Sequence, residues 1–289
     1  MEINKLSDSN IYFFSSLVLI LINYLFDDYF TQERATIFLI ASVVFLGLPH
    51  GALDTLLAKQ NNIYKNTLGF IYFNITYLLL AFIFFVFWIK LSSFALFIFL
   101  LISIFHFSED WQKQLRLTHR LVLATFIVSN LIFFQSEDVK SIFYILTKSN
   151  SVEHIISFYN FINYIIITAV LIIFFLNIKN KYLLLNIITI FFTSLILDPL
   201  LYFLSYFCFF HSIRNYRESI KILNLEKYTK KYKILAVNML ITIFISFLLY
   251  ELYLIGSVKE KIIQITFIGL AALTVPHMIL KIYIKKKNK

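Results

Sequence analysis

Ten apolar runs, most of them nearly free of charge, dominate what this chain can fold into. They cover residues 11–26, 35–58, 67–89, 92–107, 119–134, 155–176, 182–197, 199–213, 234–255 and 262–284. Hydrocarbon offers no water to a peptide N–H or C=O, so a segment that crosses a bilayer must bond its own backbone, as a helix does. The runs predict an all-α, polytopic membrane bundle of about ten transmembrane helices. Several fall short of the roughly 20 residues that span a bilayer and need their flanks or a different tilt to do so. The composition agrees: 60% of the residues are hydrophobic, 15% are charged and the mean hydropathy is +0.80. A soluble domain cannot bury that much apolar surface. No linker, low-complexity stretch or repeat interrupts the chain, so residues 1–289 read as a single transmembrane domain. The first run lacks a basic leader and reads as a retained helix.

The charge is arranged to match. A net charge of +10 would suggest a nucleic-acid partner in a soluble protein, but here it sits in the loops between runs. With ten crossings, most of the 26 Lys and Arg fall on one side, together with both chain ends. Basic loops stay inside, which predicts a multi-pass protein of the inner (plasma) membrane with both termini cytoplasmic and no nucleic-acid partner. The lone Cys208 excludes an intramolecular disulfide framework. Asp198-Pro199 predicts a break between the seventh and eighth runs, because proline suits a helix start and restricts the residue before it. Residues 141–147 predict a short surface helix.

The chemistry begins at Gly47-Leu48-Pro49-His50-Gly51-Ala52-Leu53-Asp54, inside the second run. Pro49 cannot bond the carbonyl of Phe45, and two glycines leave space beside the imidazole, so the helix is expected to be kinked and open there. Ionisable groups at membrane depth are costly and mark functional sites by default. Of the six histidines, His50, His106, His211 and His277 fall late in runs two, four, eight and ten. All four runs point inward, which puts these imidazoles at one depth in the cytoplasmic half. Asp54, Asp110 and Asn215 follow the first three at i+4, on the same helical face, as hydrogen-bonding partners for a ligated ring. Pro276-His277 repeats the step Pro49-His50 in a chain with three prolines. Four neutral imidazoles suit iron, copper or zinc, and so uncharged a setting favours Fe2+ with positions open for oxygen. Four unrelated core histidines are the structural alternative.

Pro-His-Gly-Ala-Leu-Asp at 49–54, Phe-His-Phe-Ser-Glu-Asp at 105–110, Phe-His-Ser-Ile-Arg-Asn at 210–215 and Pro-His-Met at 276–278 resemble the bacteriorhodopsin-related Brp/Blh proteins. These are membrane β-carotene 15,15′-dioxygenases. The resemblance runs from His50 to His277. It implies a non-haem iron enzyme that splits the central double bond of β-carotene with O2 into two retinals, with a retinal-binding rhodopsin as a natural acceptor. By motif, His50, His106 and His211 match the iron ligands. Where the family pattern has a second histidine after the third motif, this chain has Asn215. The fourth ligand is therefore either Asn215 or His277, and a histidine on another helix at the same depth favours His277. All four histidines are candidate catalytic and metal-binding residues.

A carotenoid is a stiff hydrocarbon dissolved in the bilayer, so its recognition is expected to rest on apolar and aromatic side chains with few polar anchors. Phe105, Phe107, Trp111, Tyr206, Phe207 and Phe210 are the candidates beside the motifs. Two rival classes remain: a membrane di-iron desaturase or hydroxylase, which needs more histidines in clustered boxes, and a non-enzymatic haem or carotenoid-binding protein.

Overall fold

The computed structural model describes residues 3–25, 32–224, 229–254 and 256–287, and their regular elements are all helical. In chain order these are α1 (Ile3–Leu25), α2 (Gln32–Ser42), α3 (Leu48–Ala52), α4 (Asp54–Gln60), α5 (Thr67–Lys90), α6 (Ser92–Ser108) and α7 (Leu117–Phe134). There follow α8 (Ser136–Thr147), α9 (Val152–Leu176), α10 (Lys181–Ile196), α11 (Pro199–Tyr206), α12 (Ile213–Leu223), α13 (Thr229–Leu252) and α14 (Val258–Lys287). Among the described residues, seven helices are long and apolar enough to cross a membrane. Thr36–Gly47 and Lys181–Ile196 are shorter apolar helices. The remaining expected run, 199–213, divides into the eight-residue α11, the π-helical turn Phe207–Ser212 and the first residue of α12.

The second run is the most broken, and its proline and glycines explain why. Ahead of Pro49 the backbone widens into the π-helical turn Val43–Gly47, which takes up the carbonyls that a proline leaves unbonded. The helix halts again at Leu53, the residue before α4 starts. Asn238 of α13 donates to the carbonyl of Ala52 at 3.0 Å, satisfying a group freed by that break. Pro276, by contrast, lies inside α14 without ending it. The break expected at Asp198-Pro199 is present: Asp198 caps α11 by accepting from the amides of Leu200 and Leu201 at 2.9 and 3.1 Å. The predicted surface helix is longer than expected. It spans all of α8 and buries Val139, Phe143 and Leu146.

The chain packs as two compact units. The first, residues 1–39 and 92–211, holds α1 and α6–α11. Here α7 packs against α6, α9 and α10, and α1 against α10 and α11. Its interior is crossed by polar pairs, each satisfying a buried group: Ser129 to Asn163 at 2.7 Å, Ser16 with Ser205 at 2.8 Å, and Tyr202 to the Ile127 carbonyl at 2.8 Å. The second unit, residues 40–91 and 212–289, holds α3–α5 and α12–α14. In it α5 lies along α14, while Leu53 and Leu56 form a core with Leu223 of the amphipathic α12 and Leu235 of α13. Tyr64 ties the loop after α4 back to the carbonyl of Thr55 at 2.8 Å. Burial pushes its phenol up to about 12, so the donor keeps its proton.

Candidate functional site

In the first unit the site is built where α6 runs out. His106 sits near its end, and a tight 3-10 turn, Glu109–Trp111, turns Asp110 and Trp111 into the interior. The π-helical turn Phe207–Ser212 brings His211 to meet them. π-helical turns recur at functional sites because the extra residue re-aims one side chain. Asp110, His106 and His211 are all buried. A buried carboxylate must be compensated, and Asp110 accepts from the Tyr206 hydroxyl at 2.8 Å and from Nδ1 of His211 at 2.9 Å. A carboxylate only accepts, so Nδ1 of His211 carries the hydrogen that Asp110 receives. Nε2 of the same ring lies 2.9 Å from Nε2 of His106.

The second unit repeats the pattern. Asp54, the first residue of α4, is buried and accepts through Oδ2 from the Tyr77 hydroxyl of α5 at 2.8 Å. The same oxygen accepts from Nδ1 of His277 on α14 at 2.7 Å. Tyr–Asp–His thus occurs twice, as Tyr206–Asp110–His211 and as Tyr77–Asp54–His277. In both, the carboxylate takes Nδ1 and orients the ring, the arrangement found behind metal-bound histidines.

The sequence places each aspartate one turn after a histidine of its own helix. The structure bonds each to an imidazole far away in the chain. Tyr77 escapes sequence reasoning altogether, since a tyrosine in the middle of an apolar helix carries no signal by spacing. The side chain of His50 lies outside the described residues; its backbone belongs to α3, directly after Pro49. Asn215 accepts from Nζ of Lys281 at 3.0 Å. No cluster of three or more His, Cys, Asp or Glu side chains suited to one ion occurs among the described residues.

Of the aromatic candidates, Phe107 and Phe207 flank His211, the first edge-on at 5.0 Å and the second stacked at 5.9 Å. Trp111, Tyr206 and Phe210 form a buried aromatic cluster with Tyr12. Tyr206 there serves the carboxylate through its hydroxyl. Phe105, at 45% exposure, faces outward from α6.

Apolar helices of membrane-spanning length, with buried imidazoles held by carboxylates, define an all-helical protein compatible with a membrane bundle. The family of Beta-carotene 15,15'-dioxygenase matches this sequence over residues 41–284. A Beta-carotene 15,15'-dioxygenase from an uncultured marine bacterium, 66A03, is 32% identical over 265 residues, covering 83% of this chain and 90% of its own. The chain belongs to the β-carotene 15,15′-dioxygenase family. No solved structure matches it.

Proposed function

We propose that this protein cleaves the central 15,15′ double bond of β-carotene with O2 to give two molecules of all-trans-retinal, using Fe2+ held by His50, His106, His211 and His277. Beyond family membership, one observation supports the reading most directly: the two Nε2 atoms of His106 and His211 converge to 2.9 Å while Asp110 holds His211 from behind. With metal–imidazole bonds of about 2.1 Å, two nitrogens bound at right angles to one ion lie about 3.0 Å apart. The spacing of this pair of imidazoles suits two positions on one ion.

Iron bound there would supply the means to bind and activate dioxygen, which does not attack an alkene unaided. The protein's own part is positional. Asp110 and Asp54 keep the hydrogens of His211 and His277 on Nδ1 and fix the ring planes. Phe107 and Phe207 keep water from His211 and offer apolar faces to a polyene. Splitting an alkene with O2 needs no general acid or base, consistent with both aspartates serving tyrosine and histidine partners.

In the same reading, all ten apolar runs cross the plasma membrane with both termini cytoplasmic. The substrate arrives through the lipid, and a retinal-binding rhodopsin is the fitting product acceptor. Expression in a β-carotene-producing bacterium tests the activity. Orange colour should fade as retinal appears in extracts; cells that stay orange with the protein present in their membranes would refute it.

A further inference from the structure

The second unit contains an apolar cavity of about 330 Å³ between the π-helical turn before Pro49, α13 and α14. Val44, Leu48, Ser246, Phe247, Gly269 and Leu273 are among its walls. On α14 the lining residues Ile262, Thr266, Gly269 and Leu273 recur at helical spacing, and His277 follows one turn after Leu273 on the same side. We propose that this cavity holds one end ring of β-carotene, and that Gly269 keeps the space open for it. The inference rests on the carotenoid reading above and adds the place where the substrate is gripped.

Length carries the argument. An extended chain advances about 1.2 Å per bond, a third of the roughly 3.5 Å spanned by an extended residue, so the nine bonds from C15 to the ring measure about 11 Å. The ring adds a few ångströms more. Gly269 and Thr266 precede His277 by eight and eleven residues, or about 12 and 16 Å along the axis at 1.5 Å per residue. A polyene lying along α14 with its central bond level with His277 therefore puts its ring between Gly269 and Thr266.

The space is of the right size and kind. An apolar cavity of about 150 Å³ accepts benzene, so about 330 Å³ takes a trimethyl-substituted six-membered ring with the first carbons of its chain. The hydroxyl of Thr242, another wall residue, is already bonded to the Asn238 carbonyl at 2.9 Å. Ile243 and Phe247 on α13 are 37% and 58% exposed, which opens the cavity sideways to the lipid from which a carotenoid must come. A Cβ added at Gly269 meets nothing within 4 Å, so a side chain there has open space to enter.

Gly269→Leu provides the test, with Gly269→Ala as the mild control. Purified proteins are assayed for kcat/KM on β-carotene and, without oxygen, for β-carotene retained per protein. Gly269→Leu should lose at least tenfold in kcat/KM, mainly through KM, and retain correspondingly less pigment; Gly269→Ala should stay within about twofold. Should Gly269→Leu fail to accumulate, Ser246→Leu fills the cavity from α13 and reads the same quantities. Unchanged pigment retention and kcat/KM in the filled variant, or no anaerobic binding by the wild type, would overturn the proposal. A wild type that binds β-carotene but releases no retinal would instead defeat the assigned activity, and the anaerobic comparison would still score the cavity.

Discussion

Oδ2 of Asp54 lies 2.7 Å from Nδ1 of His277, across 223 positions of sequence. The contact makes one unit of the proline-histidine motif near the start of the chain and the proline-histidine motif near its end. It also gives Asp54 a role that its spacing from His50 does not reveal.

Removing that carboxylate should loosen His277 and, with it, the proposed iron site. Asp54→Ala and Asp110→Ala are expected to lower iron content or turnover by about 10–100-fold, the usual loss when a partner behind a ligand is removed. Iron per purified protein, measured by mass spectrometry, checks this. Unchanged iron and turnover in both variants would reduce the two aspartates to structural groups.

The tyrosines should matter less, and through the aspartates alone. Tyr77→Phe and Tyr206→Phe each remove one hydrogen bond to a buried carboxylate, a contribution of about 1.5–3 kcal/mol. Thermal unfolding in detergent should show each loss. Combined with Asp54→Asn, Tyr77→Phe should cost less than the sum of the two single changes, because the residues share one contact. Strict additivity would show that the hydroxyl acts elsewhere.

In the proposed iron shell, His277 rather than Asn215 takes the fourth place. An imidazole binds ferrous iron far better than an amide, and Asn215 is already bonded to Lys281. His277→Ala should abolish iron binding and retinal formation while the protein persists in the membrane. Asn215→Ala should be milder, and Asn215→His tolerated. Full iron in His277→Ala together with its loss in Asn215→Ala would reverse the assignment.

Topology admits a direct check. Reporter fusions after Lys233 and at Lys289 should both report the cytoplasm. A periplasmic C-terminus would mean an odd number of crossings and would remove the ground for expecting the four histidines at one depth.

Helix content, the break at Asp198-Pro199 and the family were legible in the sequence because each depends on local properties. A long apolar run in hydrocarbon has little choice but to become helical; a proline restricts its own φ and its predecessor wherever it stands; and four short motifs around histidines carry the resemblance. The histidines and aspartates of the candidate site were visible for the same reason, since ionisable residues are conspicuous in an apolar run.

What only the tertiary structure decided is who bonds to whom. Spacing pairs Asp110 with His106 and Asp54 with His50, because i and i+4 are all that one helix can offer. The fold instead turns Asp110 inward on a 3-10 turn, aims His211 from a π-helical turn and starts a new helix at Asp54. Each carboxylate thereby meets a histidine and a tyrosine from distant parts of the chain. A buried charge takes whichever donors packing delivers, and packing depends on how helices cross. That is why Tyr77 and the cavity beside Gly269 leave no mark in the sequence.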